Sequence, residues 1–130
     1  MKNVSLLTKV LFHITNILLI ILYLYPGSIL GWLIYGNIQK QPQITSDFIF
    51  SSNHVYAFLI LSLLGLFSYY KKNIKILFLY LFFISIFLES LHYMIPQRSF
   101  EYKDLFGNFF GVLIVFLLSN IYKFFKKIYD

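Results

Sequence analysis

The stretch "ESLHYMIPQRSFEYKDLFGNFFG", Glu89 to Gly111, gathers Glu89, His92, Arg98, Asp104 and Asn108 in a chain that is otherwise strongly apolar, and His54 stands earlier in the sequence. These residue types allow four kinds of chemistry. Glu89 or His92 can act as a general base on a hydroxyl while the Arg98 guanidinium stabilises developing negative charge, which makes Glu89 and His92 the catalytic candidates. Arg98 can fork onto a phosphate or pyrophosphate with His54 and His92 donating beside it, so that His54, Arg98, Asp104 and Asn108 form a binding set. The same groups can instead hold helices together, with Arg98 bridging Glu89 or Asp104 and Asn108 satisfying loop carbonyls. Finally, Glu89, His92, His54 and Asp104 are all metal-ligating types. An E-x-x-H step recurs in di-iron bundles, but those need it twice with two further Glu residues, and a second copy is absent here. No metal and no cofactor is therefore expected.

The solvent these residues meet follows from composition. Of 130 residues, 59% are hydrophobic, 22% are aromatic and 12% are charged. Soluble domains carry about 25% charged residues, so lipid is the expected main solvent. There is no Cys, which excludes disulfides, thiolate catalysis and zinc sites of the cysteine type. The net charge of +6 is not gathered into the stripe or patch of a nucleic-acid domain; it sits in short clusters between apolar runs, as loops at anionic membrane surfaces do.

Four runs approach the ~20 apolar residues that a transmembrane helix needs. They cover about residues 5–25, 53–70, 74–94 and 104–122. The first stops at Pro26-Gly27 and is read as a retained span rather than a signal peptide, because neither its length nor "YPGSILGW" suits cleavage. The mixed segment "GSILGWLIYGNIQKQPQITSDFIF" reads as an interfacial loop with Trp32 and Tyr35 at headgroup depth. "KKNIK" makes a tight basic turn, Pro96 closes the third span, Asp104 is the expected N-cap of the fourth, and "KFFKKIYD" reads as an interface anchor. His13, with Thr15 and Asn16, is assigned to interhelical hydrogen bonds away from the cluster.

Orientation comes from the basic residues. Lys2, Lys9, Lys71, Lys72, Lys75, Lys123, Lys126 and Lys127 share the side of the termini, against Lys40, Arg98 and Lys103 opposite. The positive-inside rule then puts both termini in the cytoplasm and the two longer loops outside. In that arrangement His54, Glu89, His92, Asp104 and Asn108 converge at one outer membrane depth. Glu89 and His92 are an i, i+3 pair, and Asp104, Asn108 and Gly111 share a stripe. Gly107 and Gly111 form a small-xxx-small step that lets another helix approach closely.

This ordered set resembles the VanZ-like family of small bacterial membrane proteins. The family pattern has a His opening an early span, a Glu, a Pro and an Arg, then Asp and Asn four apart with a Gly three further on. Here these are His54, Glu89, Pro96, Arg98, Asp104, Asn108 and Gly111. The sequence departs from the pattern at Phe50-Ser51, where members often carry Asp-Lys, and at His92, where Gln is usual. The resemblance implies a cell-envelope role in a bacterium and, through the founding member, a link to resistance to the glycopeptide antibiotic teicoplanin. Residues and resemblance together lead to one expectation: a single all-α domain over residues 1–130, a four-span bundle in a bacterial inner membrane. Its outward polar site would bind or process an anionic membrane lipid or lipid-linked envelope precursor. The alternative is a non-catalytic accessory subunit whose polar cluster only holds helices or docks a partner.

Overall fold

The computed structural model describes residues 2–70 and 73–129. Five α-helices and one 3-10 turn make up its regular structure: α1 Lys2–Leu24, α2 Ile29–Tyr35, α3 Ser52–Tyr69, α4 Ile74–Ser90, the 3-10 turn Leu91–Tyr93, and α5 Tyr102–Tyr129. The fold is all-α. Four of the helical segments, Leu6–Leu24, Ser52–Tyr69, Ile74–Tyr93 and Tyr102–Ile128, are long and apolar enough to cross a membrane. Their outward surfaces carry Ile17, Phe67, Leu79 and Leu118, each more than half exposed. Apolar faces of that extent belong against lipid rather than water.

Helix α3 sits between α1 and α5, and α4 closes against α5. The core between them is built from Phe12, Leu19, Phe58, Leu61, Phe78, Leu81, Val112 and Val115. Close approach of α3 and α5 depends on two glycines. A Cβ at Gly111 would lie 2.5 Å from the Val55 carbonyl oxygen, and one at Gly107 would lie 2.8 Å from that of Ser51. The small-xxx-small step thus serves the α3 contact, as its spacing implied. Three serine hydroxyls inside the spans return to their own helix: Ser68 donates to the Leu64 carbonyl, Ser85 to that of Phe82 and Ser119 to that of Phe116. No hydroxyl hydrogen is left facing hydrocarbon at these positions.

Several boundaries differ from those expected. The segment after Pro26 is not simply a loop. Ser28 accepts the Gly31 N–H at 2.9 Å and caps α2, while Gly36 in the left-handed region, with its N–H on the Trp32 carbonyl, stops it two turns later. Trp32 and Tyr35 are exposed on this short helix, and Lys40 lies over the Tyr35 ring, 4.3 Å from its centroid. The third span runs Ile74–Tyr93, close to the expected 74–94, but leaves α-helical geometry at Ser90 and finishes as the 3-10 turn. Helix α5 starts at Tyr102, so Asp104 is not its N-cap but lies in its first turn, where the helix dipole favours an acid. At its other end α5 runs past 122 to Tyr129, taking "KFFKKIY" into the helix. At 1.5 Å per residue α5 is about 42 Å long, longer than a ~30 Å hydrocarbon core. The expected basic turn falls partly on Lys71 and Lys72, which lie outside the described residues.

Away from the polar end, His13 Nε2 meets the Tyr69 hydroxyl at 3.0 Å, and the Asn16 amide donates to the Tyr80 hydroxyl. Both are interhelical contacts, α1 to α3 and α1 to α4.

Candidate functional site

The C-terminal end of α1, the N-terminal end of α3, the C-terminal end of α4 and the N-terminal end of α5 meet at one end of the bundle. This up-and-down arrangement is what brings His54, Glu89, His92, Asp104 and Asn108 together from three separate stretches of sequence. Four of the five are buried, and Asp104 keeps 21% of its side chain exposed.

Asn108 organises the cluster. Its amide nitrogen donates to the Ser85 carbonyl at 3.2 Å, which turns Oδ1 toward His54 Nδ1 at 3.0 Å and toward the Tyr23 hydroxyl, which donates to it. The Tyr23 oxygen in turn lies 2.9 Å from His54 Nδ1. Since the Tyr23 hydrogen goes to Asn108 and both oxygens facing Nδ1 are acceptors, Nδ1 carries the imidazole hydrogen. That leaves Nε2, 3.5 Å from Asp104 Oδ2, as the nitrogen with a free lone pair in the neutral ring.

Glu89 is fully buried, yet only one of its carboxylate oxygens is occupied. Oε1 lies 3.1 Å from His92 Nδ1 and accepts the Glu101 N–H at 3.1 Å. Oε2 is 4.0 Å from His54 Nδ1 and has no hydrogen-bond partner among the described residues. His92 donates to the Tyr23 carbonyl through Nε2 at 3.1 Å, while its Nδ1 faces Glu89. The 3-10 turn repeats every three residues and so keeps His92 above Glu89, although the α-helix has already ended.

Arg98 does not bridge Glu89 or Asp104. Its Nε donates to the Tyr25 carbonyl at 3.2 Å and its Nη2 to the Leu22 carbonyl at 2.6 Å, closing the C-terminal end of α1. A cation there also complements the helix dipole. Burial lowers the Arg98 pKa from its ordinary value, while Tyr23, Glu89 and Asp104 nearby pull it back up. An arginine remains charged across this range.

Sequence reasoning passed over Tyr23. It is buried, bonds to both His54 and Asn108, and stacks on His92 with ring centroids 5.7 Å apart. Its position three residues before Pro26, at the same end as His54, was the available signal. Asp47 Oδ1 accepts the Ser52 N–H at 3.0 Å and caps α3 from outside the helix.

A cavity of about 380 Å³ opens beside the cluster, between α1, α2, α3 and the segment that follows α2. Ile29, Ile34, Pro42, Ala57 and Ile60 supply apolar walls, and Tyr23, His54, His92 and Arg98 supply one polar end. Asn53 holds the covering segment in place, accepting the Ile44 N–H and donating to the Pro42 carbonyl. Glu89 does not line this cavity and reaches it only through His54 and His92. Apart from that opening, His54, Glu89 and Asp104 each offer a ligand atom within 4.8 Å of the others, the one set among the described residues able to hold a metal ion.

No family model, no curated protein and no solved structure matches this chain.

Proposed function

We propose that this multi-pass membrane protein is a VanZ-like protein of a bacterial inner membrane, with both termini cytoplasmic, that binds an anionic headgroup at its outer end. The headgroup belongs to a membrane lipid or a lipid-linked envelope precursor. The observation that carries this reading is the cavity, whose volume falls among the ~300–1,000 Å³ of small-molecule sites and whose apolar walls end at Arg98, His54 and His92. An isoprenoid or acyl chain suits the walls. The phosphate suits Arg98, whose Nη1 is left unused by the α1 carbonyls. The ordered set from His54 to Gly111 supports the cell-envelope assignment and its link to glycopeptide resistance. Because Glu89 stands behind the two histidines rather than on the cavity wall, proton transfer to a ligand would pass through His92.

The binding experiment uses purified protein in nanodiscs with polyprenyl phosphate, the matching uncharged polyprenol, and inorganic phosphate. The charged lipid should bind at least about tenfold more tightly than the alcohol, because one hydrogen bond to a charged group contributes about 1.5–3 kcal/mol and each ~1.4 kcal/mol is a factor of ten. Ala57→Phe, which fills the cavity without touching the polar cluster, should abolish binding of the charged lipid. Equal binding of phosphate lipid and alcohol would refute the reading.

A second reading is favoured by one observation: Arg98 bonds to two carbonyls at the end of α1, which is what a structural clasp requires. Under it the protein is a non-catalytic accessory subunit, and Ala57→Phe leaves its biological effect intact.

Orientation is testable because the chain has no cysteine of its own. Single cysteines placed at Lys75 and Ser99 should react with an impermeant reagent from opposite faces of the membrane, Ser99 from outside. Labelling of both from outside would remove the proposed topology.

A further inference from the structure

We propose that His54, Glu89 and Asp104 form a mononuclear site for a divalent first-row transition cation. Three observations lead there. The ligand atoms lie within 4.8 Å of one another. Glu89 is 0% exposed, and its Oε2, 4.0 Å from the His54 ring at Nδ1, has no hydrogen-bond partner among the described residues. The Tyr23–Asn108–Ser85 chain fixes the His54 hydrogen on Nδ1, so that Nε2 presents a lone pair to Asp104 Oδ2 at 3.5 Å. Two carboxylates and an imidazole nitrogen gathered this closely attract a cation, which offsets the repulsion between the two acids. A metal ion supplies that charge, and the hydrogen bond on the far nitrogen of His54 is the support that metal-bound histidines ordinarily carry.

The donor set narrows the ion. Imidazole disfavours Mg²⁺ and Ca²⁺, which prefer all-oxygen shells, and the chain has no thiolate to select Cu(I). One nitrogen with two carboxylate oxygens suits Zn²⁺ or Mn²⁺ and leaves positions open for water or a ligand oxygen. Metal–ligand bonds of about 2.0–2.2 Å hold neighbouring donors roughly 3–3.5 Å apart, so the side chains would draw together by about an ångström on loading. Asp104 is partly exposed and His54 lies on the cavity wall, which gives the ion a route in. The site differs from the di-iron arrangement because it needs no second E-x-x-H step. It also stands apart from the lipid reading, since its three ligands are complete without any bound headgroup.

The test uses the whole protein in a non-phosphate detergent, stripped with chelator and reloaded separately with Zn²⁺, Mn²⁺ and Mg²⁺, so that no lipid phosphate contributes. About one equivalent of Zn²⁺ or Mn²⁺ per chain should remain after desalting, with no stoichiometric Mg²⁺. Co²⁺, loaded as a spectroscopic stand-in for Zn²⁺, should give visible d–d absorption. Asp104→Asn, chosen because that partly exposed side chain can lose its charge with the fold intact, should weaken Zn²⁺ or Mn²⁺ binding by about tenfold or more. Glu89→Gln should do the same. Failure of the wild type to retain either ion would overturn the proposal, as would retention unchanged in Asp104→Asn.

Discussion

Glu89→Ala is expected to lower the unfolding free energy by about 3–5 kcal/mol, the range for removing one partner of a buried ionic pair. The carboxylate is fully buried, and its Oε1 accepts the Glu101 N–H and lies 3.1 Å from His92 Nδ1. Alanine leaves the Glu101 N–H and His92 Nδ1 without their buried partner, at the junction that joins the 3-10 turn to the start of α5. Glu89→Gln keeps a carbonyl oxygen for Glu101 and should cost clearly less. Equilibrium unfolding of the two variants in mixed micelles, followed by far-UV circular dichroism, measures the difference. A change in Glu89→Ala no larger than about 0.5 kcal/mol, as at an ordinary surface position, would show that the pair does not hold this end of the bundle.

Gly111→Val is expected to destabilise by about 3 kcal/mol, the upper part of the usual range for overpacking. A Cβ at this position meets the Val55 carbonyl oxygen at 2.5 Å, the Leu59 nitrogen at 2.9 Å and the Phe58 Cβ at 2.9 Å. Two of these are backbone atoms of α3 and cannot rotate away, so the helices must separate. Separation would carry His54 away from Asn108 and Asp104, because Gly107, one turn earlier, already lies against His54: its Cβ would be 3.0 Å from that of His54. The same unfolding measurement applies. A variant as stable as wild type would mean that α3 and α5 do not pack through this glycine pair.

Much of this architecture is legible in the sequence for a plain reason. Apolar runs of span length, separated by Pro, Gly and Lys, leave few alternatives when only 12% of residues are charged. The convergence of His54, Glu89, His92, Asp104 and Asn108 follows from the alternating direction of successive spans, and the pairing of His13 and Asn16 with other helices from the cost of unpaired polar groups in lipid. What could not be read depends on contacts distant in the chain. Arg98 bonds to carbonyls 73 and 76 positions away, and nothing in "PQRSF" signals that an exposed helix end awaits it. Tyr23 was hidden among eleven tyrosines, most of which fit a membrane interface equally well. Helix α2 had visible signals, Ser28 and Gly36, but with only seven residues it had no periodicity to raise it above the surrounding loop. Which of the metal-ligating types His54, Glu89, His92 and Asp104 come within reach of one another could not be read, because that grouping depends on how three helices pack.

The most direct measurement of the central claim is native mass spectrometry of the protein taken from its own membranes, with the co-purified lipid identified by fragmentation. An anionic, phosphate-bearing lipid is expected on the wild type at about one per chain, retained in His13→Gln at the opposite end of α1 and lost in both Arg98→Ala and Ala57→Phe. A wild type that carries only the bulk lipids of the membrane in their ordinary proportions, unchanged in Ala57→Phe, would contradict it.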